Sequence, residues 1–224
     1  MRKLIERLSY YMKNESKEIL LDLIQRYPSL SSIKINLFEA VEIMISSFVC
    51  GGKLLVCGNG GSASDSLHIV GELMKDFSFP RPLEEEFISQ LREWGEEGEY
   101  ISSNLQKALP AIALVGSSAL ETAYANDRAP DLSFAQMVNG LGKMEDVLLA
   151  ITTSGNSRNV IYASIVAKTK GMKVISLTGE GGGKMKKYSD VLLSVPEKET
   201  YKVQELHLPL YHAICLALEK EFFG

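Results

Sequence analysis

Two short apolar segments of this chain each end in a turn of glycines and small hydroxyl residues, and helix-like sequence follows each turn. The first segment, LLVC at 54–57, leads into GNGGS at 58–62, and the second, VLLAI at 147–151, leads into TTSGNS at 152–157. Such turns place backbone N–H groups and hydroxyls at a helix N-terminus, where the positive end of the helix dipole attracts an anion. The pattern therefore predicts strand–turn–helix units and a phosphorylated ligand held from two sides.

The order of apolar and helix-like segments predicts one α/β domain. Five short apolar runs, separated mostly by helix-like sequence, are typical of a parallel sheet with crossover helices; they lie at 53–57, 110–115, 146–151, 173–178 and 190–195. Apolar residues at helical spacing predict a helical pair within residues 1–50, over 2–26 and 31–50, and a last helix over about 201–222. Pro209 inside that last helix is expected to kink it or to remove one hydrogen bond.

The composition argues against nucleic-acid and membrane partners. A net charge of −4 and a pI near 5.5 do not fit a basic nucleic-acid surface, and no apolar run approaches the length of a membrane span. The charged N-terminal residues lack the apolar core of a signal peptide, so we expect a cytoplasmic protein. Cys50, Cys57 and Cys215 lie in apolar contexts without metal-ligand spacing, and we expect all three to be buried free thiols.

Residues 78–109 form an acidic insertion. Phe87, Leu91 and Trp94 recur at positions i, i+4 and i+7, and three glutamates follow Pro82 as residues of a first helical turn do. The stretch is therefore predicted to be helical. Two interpretations stay open: a solvated surface decoration, which is how long insertions commonly sit, or a lid or subunit contact beside the active site.

Two glycine-rich runs are poor matches to nucleotide-binding motifs. GNGGSA at 58–63 fits the loose dinucleotide fingerprint GxGxxA, but that fingerprint needs an acidic residue at the end of the next strand. That strand ends in LVGS at 114–117, which contains no acid and comes too late in the chain. TGEGGGK at 178–184 lacks the spacing of a P-loop and has Met185 where a serine or threonine is needed.

The segments GNGGSASDSLH at 58–68 and TTSGNS at 152–157 resemble the sugar isomerase (SIS) superfamily of phosphosugar-binding domains, and within it the phosphoheptose isomerases. The resemblance covers nearly the whole chain except 78–109. It implies a single SIS domain over 1–224, with a five-stranded parallel sheet in a flavodoxin-like, three-layer α/β/α fold and N-terminal helices. It also implies a homo-oligomer, tetramer or dimer, with the first two helices and the last one between subunits. Helices that cover one face of their own sheet are an equally open interpretation.

The resemblance further implies that both turns bind the phosphate of a phosphorylated sugar. The implied residues are Asn59, Ser62, Thr152, Ser154 and Ser157. Plain turn and capping chemistry is the alternative, and it explains the glycines and Asn59 well but the repeated hydroxyls less well. We therefore favour phosphate binding, which also uses the preference of helix N-termini for anions.

All three histidines of the chain fall in two predicted helices. His68 and Glu72 are four residues apart and share a helix face, and the resemblance implies that they bind zinc together with Gln204 and His212. Imidazole and carboxylate are ordinary zinc ligands, whereas glutamine is unusual. His207 lies five residues before His212, a large rotation around the helix, so we do not expect both to face one site.

The resemblance implies an aldose–ketose isomerase that moves a sugar carbonyl between C1 and C2 through a cis-enediol. Glu72 is assigned as the base that removes the carbon proton and His212 as the acid that protonates oxygen, with zinc polarising the oxygens. Relatives carry aspartates where this chain has Tyr201 and Ser117, so two carboxylates are missing. The alternative function is a non-catalytic regulator that binds a phosphosugar or a protein partner.

Overall fold

A computed structural model describes residues 12–224, which contain a five-stranded sheet with every strand parallel to its neighbours. The strands are β1 (Leu54–Cys57), β2 (Ala111–Ala113), β3 (Val147–Ile151), β4 (Lys173–Thr178) and β5 (Val191–Ser194). Their order across the sheet is β2-β1-β3-β4-β5, which is the flavodoxin-like order. The predicted α/β fold is confirmed.

The described residues form nine α-helices. They are α1 (Asn14–Arg26), α2 (Lys34–Val49), α3 (Gly61–Met74), α4 (Glu85–Arg92), α5 (Glu96–Asn104), α6 (Ser118–Asp127), α7 (Ser133–Leu141), α8 (Arg158–Thr169) and α9 (Thr200–Phe223). The first half of the helix predicted over 2–26 lies outside the described residues. Helix α9 continues through Pro209, which has no N–H for an intrahelical bond. None of these helices combines the length and the apolarity needed to span a membrane.

Both faces of the sheet are buried by helices. Val56 and Leu149 pack on one face with residues of α1, α2, α3 and α9, whereas Leu55 and Leu148 pack on the other face with residues of α7 and α8. Burial on both faces explains why the strands read as continuous apolar runs. The N-terminal and last helices therefore cover one face of their own sheet, and contacts between subunits stay a prediction.

The two glycine- and serine-rich turns lie side by side at the carboxyl edge of the sheet. Strands β1 and β3 are neighbours, with Val56 opposite Leu149 and Cys57 opposite Ala150. The strand that follows β1 in the chain is β2, which lies on one side of the β1–β3 pair. The strands that follow β3 are β4 and β5, which lie on the other side of that pair. In open α/β sheets ligands bind at this reversal of direction, so the topology brings both turns to one crevice.

The insertion contains helices α4 and α5, which pack against each other as a hairpin. At its base the Lys107 N–H donates to the Arg81 carbonyl at 2.8 Å. Trp94, between the two helices, is 77% exposed. The predicted helical character of this stretch agrees with the structure, whereas its role stays a prediction.

The expectation of three buried thiols is wrong at one position. Cys57 and Cys215 are buried free thiols, and burial raises the pKa of Cys57 to about 12. Cys50 is exposed, because it caps the C-terminal end of α2 just before a glycine turn at the amino edge of the sheet.

Candidate active site

The first turn connects β1 to α3 and depends on its glycines. Gly60 has a φ of +57°, a conformation that glycine adopts at little cost. A Cβ at Gly58 would lie 2.6 Å from the carbonyl oxygen of Ser62. The sharp turn lets α3 begin at Gly61 with the Ser62 side chain buried, so the positive end of the α3 dipole opens at the crevice.

The second turn, between β3 and α8, collects three hydroxyl side chains. Thr152 Oγ1 and Ser157 Oγ lie 2.9 Å apart, and Ser154 Oγ accepts the Asn156 N–H at 3.2 Å. Gly155 has a φ of +65°, and a Cβ there would clash with the Gly182 carbonyl. Helix α8 begins at the next residue after Ser157, so a second helix N-terminus lies beside these hydroxyls.

A pair of amide side chains joins the two turns. Asn59 Nδ2 donates to Asn159 Oδ1 at 2.9 Å, and Asn159 Nδ2 donates to Asn59 Oδ1 at 2.8 Å. Asn159 is the second residue of α8, so the pair fastens the first turn to the helix that follows the second turn. The five residues expected at the phosphate thus lie on two turns that are held together.

Helices α3 and α9 group three of the four residues expected at the metal. His68 Nε2 lies 3.2 Å from Glu72 Oε1 and 3.4 Å from His212 Nε2. Gln204 lies about two turns before His212 on α9, and its side-chain amide packs against Gly61 at the start of α3. The structure therefore places Gln204 at the first turn and the other three farther along the two helices.

A tyrosine supports the His68 ring from its other nitrogen. Tyr211 Oη donates to Asp65 Oδ1 at 3.3 Å and lies 3.0 Å from His68 Nδ1. Burial and the neighbouring Asp65 raise the pKa of Tyr211, so the phenol keeps its single proton. When that proton is donated to Asp65, the phenol oxygen accepts from His68 Nδ1–H, and in the neutral ring Nε2 is then the acceptor.

The donor types of His68, Glu72 and His212, two imidazoles and a carboxylate, suit a divalent cation. His68 Nε2 lies 3.2 Å from Glu72 Oε1, a contact that a cation between the two atoms or a proton on the ring nitrogen would stabilise. Two ligand atoms of one tetrahedral zinc ion lie about 3.3–3.5 Å apart. Burial lowers the pKa of His212, which favours the neutral imidazole that a metal needs.

One carboxylate oxygen of this cluster has no hydrogen-bond partner. Glu72 Oε2 is buried without such a partner in residues 12–224, and its nearest ion-pair contact is Lys75 Nζ at 3.9 Å. Within the same residues no group of three or more His, Cys, Asp or Glu side chains has the arrangement of a metal site. A bound cation would therefore require a different arrangement of these three side chains from the one present here.

Known proteins similar to this chain match it over most of its length. A family model described as the SIS domain matches residues 100–179. The curated phosphoheptose isomerase of Helicobacter pylori (strain P12) is 39% identical over 194 residues, which are 87% of this chain and 88% of the relative. The chain belongs to the phosphoheptose isomerase family.

Solved structures of phosphoheptose isomerases have the same fold as this chain. The enzyme from Neisseria gonorrhoeae is 33% identical with a TM-score of 0.70, over 89% of this chain and 94% of that one. The enzyme from Francisella tularensis is 32% identical with a TM-score of 0.72, over 89% and 93% of the two chains. The SIS fold implied by the resemblance is therefore confirmed.

In this phosphoheptose isomerase family member His207 does not face the cluster of His68, Glu72 and His212. Its side chain is fully buried, and Nε2 lies 3.3 Å from the Thr178 carbonyl oxygen at the end of β4. Burial lowers the pKa of His207 to about 4. The expectation that His207 and His212 face different surroundings is confirmed.

The two positions at which the resemblance implies an aspartate, Tyr201 and Ser117, have different surroundings. Tyr201 lies in the first turn of α9 and is 58% exposed. Ser117 follows Gly116, which lines a polar cleft of about 310 Å³ beside the first turn. Glu121, one turn along α6, lines the same cleft. A carboxylate is thus present near the second position, although not at it.

Sequence reasoning missed the residues that support the site. They are Asp65, Asn159 and Tyr211. Helical spacing offered a signal for Asp65, since it lies three residues before His68 and shares its helix face. The others approach the site from distant parts of the chain, so no local pattern reveals them.

Proposed function

We propose that the protein is an aldose–ketose isomerase acting on a phosphorylated sugar, a heptose 7-phosphate. Membership in the phosphoheptose isomerase family supports this function. The observation that carries it is the layout of α3, which begins at the first turn and bears Ser62, His68 and Glu72 in succession. Ser62 and His68 are six residues apart, about 9 Å along the helix axis. A sugar whose phosphate is bound at the turn can therefore extend along this helix.

In the proposed reaction two side chains move protons on opposite sides of the carbonyl. Glu72 removes the C2 proton of the aldose while His212 supplies a proton to O1, which gives the cis-enediol. Return of the carbon proton to C1 and loss of the O2 proton give the ketose. The buried Oε2 of Glu72, which lacks a hydrogen-bond partner in residues 12–224, supports its role as the base.

We propose that His68, Glu72 and His212 hold a divalent cation, zinc, and that the Gln204 side chain, which lies at Gly61 in this structure, moves to join them as the fourth ligand. When bound, the ion would act as a Lewis acid that polarises the sugar oxygens. Tyr211 and Asp65 would orient His68 toward it, as partners of metal-bound histidines commonly do. The phosphate would be bound by Asn59, Ser62, Thr152, Ser154 and Ser157.

We further propose a homo-oligomer, a tetramer or a dimer. Apolar side chains on the outer faces of α3 and α9 support association between copies. Leu67, Met74 and Leu208 are exposed there, close in sequence to His68, Glu72 and His212. Their burial against a second copy would contribute a favourable apolar term.

Exchange of a substrate proton with deuterated solvent, followed by NMR, tests the proposed reaction. Zinc-loaded protein should exchange the C1 or C2 proton of a seven-carbon ketose 7-phosphate, and Glu72→Gln should slow exchange by about 10²–10⁴-fold. Metal content is measured in the same samples, so that loss of base and loss of ion are distinguished. Glu86→Gln, which changes an exposed carboxylate of α4, is the matched control and should exchange at the normal rate.

The outcomes separate the two functions considered for this fold. Undiminished exchange by Glu72→Gln would show that the base lies elsewhere. Absence of exchange with every sugar phosphate of a ketose and aldose panel, combined with measurable binding of one of them, would favour the non-catalytic regulator.

A further inference from the structure

The C-terminal end of α3 is capped by an arginine side chain. The last carbonyls of a helix have no intrahelical partners, and Arg81 donates to two of them: Nη2 to the Glu72 carbonyl at 2.9 Å and Nη1 to the Leu73 carbonyl at 2.6 Å. A cation is also favourable at the negative end of the helix dipole. Arg81 therefore holds the backbone of Glu72 directly.

The Arg81 guanidinium is fully buried and its charge is compensated by Glu219. Glu219 Oε1 accepts from Nε at 2.9 Å and lies 2.8 Å from Nη2. The same carboxylate accepts the backbone N–H groups of Phe77 and Ser78, each at 2.7 Å. A buried ion pair is tolerated when further hydrogen bonds satisfy its atoms, and this pair meets that condition.

Glu219 also connects the pair to His212. The two residues are seven positions apart on α9 and so lie on the same helix face. The Phe77 N–H donates to Glu219 Oε1, which holds the Phe77 backbone, and the Phe77 ring centroid is 5.5 Å from that of His212. The arrangement links one side of the pair to the backbone of Glu72 and the other side to the ring of His212.

We propose that Arg81 and Glu219 are a positioning pair that sets the relative placement of Glu72 and His212. Neither residue reaches the sugar, because both side chains are fully buried. Their effect is on the step in which protons move and not on the phosphate, which is bound at the opposite end of α3. The inference rests on the proposed isomerase function.

Glu219→Gln tests the pair, and α9 offers a matched control. Glu221, two residues further along α9, is also buried, but its partners belong to α1. It accepts from Ser16 Oγ of α1 at 2.8 Å and from the N–H of Lys13, the residue before α1, at 2.9 Å. We expect Glu219→Gln to lower kcat at least tenfold with KM within twofold, at equal folded fraction by circular dichroism. Glu221→Gln should keep kcat within twofold. Equal kcat losses in the two variants would overturn the proposal.

A double variant keeps the test valid if Glu219→Gln fails to fold. Arg81→Met with Glu219→Leu leaves no buried charge unpaired, and such replacements often preserve folding. It should fold and bind substrate but retain the low kcat, because the cap on Glu72 and the anchor of Phe77 are gone. A double variant with normal kcat would contradict the positioning role.

Histidine ring NMR gives a readout that does not depend on activity. The chain has three histidines, so selectively labelled protein gives three assignable ring signals. The His212 ring signal should shift in Glu219→Gln and stay in place in Glu221→Gln. An unmoved His212 signal in Glu219→Gln would overturn the inference. If the His212 signal shifted in Glu219→Gln but the wild-type protein had no isomerase activity, the proposed function alone would be overturned.

Discussion

Tyr211→Phe removes one hydroxyl from the support of the site and leaves the rest of the ring in place. The hydroxyl bonds to Asp65 Oδ1 at 3.3 Å and to His68 Nδ1 at 3.0 Å. Asp65 Oδ2 is already buried without a hydrogen-bond partner in residues 12–224, so the variant leaves neither oxygen of this carboxylate bonded. Leaving such a group unsatisfied costs about 1–3 kcal/mol of the free energy of unfolding.

The same substitution frees the His68 ring to rotate and to change its tautomer. Loss of an outer partner of a metal-bound histidine lowers metal affinity by about 10–100-fold, which is about 1.4–2.8 kcal/mol of binding free energy. Urea denaturation of the metal-free protein measures the first effect, and competition for zinc with a chromophoric chelator measures the second.

Tyr201→Phe is the control for Tyr211→Phe because it deletes the same hydroxyl from an exposed position of the same helix. It should change the free energy of unfolding by less than about 0.5 kcal/mol and leave zinc affinity unchanged. If Tyr211→Phe bound zinc as tightly as wild type, the role assigned to the Asp65–Tyr211–His68 chain would be refuted.

Three further outcomes are expected. Ser62→Ala and Ser154→Ala should each weaken sugar-phosphate binding by about 10–100-fold in calorimetry, because each removes one hydrogen bond to a charged acceptor; unchanged affinity in both would discard the phosphate site. His68→Ala and His212→Ala should lose zinc in elemental analysis whereas His207→Ala keeps it, and a wild-type protein that stays empty after zinc incubation would count against the metal. The free energy of unfolding should fall by about 3 kcal/mol as the pH drops from 6.5 toward 4, because His207 is protonated near pH 6.5 in the unfolded chain and only near pH 4 in the folded chain. Chemical denaturation of a folded His207→Gln variant checks this cause. An equally steep pH dependence of its free energy of unfolding would refute it.

Local patterns predicted the parts of the fold that depend on neighbouring residues. The continuous apolar runs at 54–57 and 147–151 predicted buried parallel strands, because strands covered on both faces need no polar alternation. The prediction failed at Cys50, where an apolar context did not mean burial, because the side chain lies at a helix end and not on its packed face.

The sequence alone determined which groups share an element. Gly58 and Gly60 allow the sharp turn, and the spacing of Ser62, His68 and Glu72 places them in order along one helix, because a helix has a fixed rise and rotation per residue. Such relations need no knowledge of the rest of the chain, and so they were available before the structure.

Tertiary structure decided which elements meet at the site. Whether His212 lies beside His68, 144 residues earlier, depends on how α3 and α9 pack on the sheet, and burial of their apolar faces sets that packing. The same packing placed Gln204 at Gly61 and paired Arg81 with Glu219 across 138 residues. The spacing of residues along one segment does not give the distance between two helices, because that distance results from packing of the whole core.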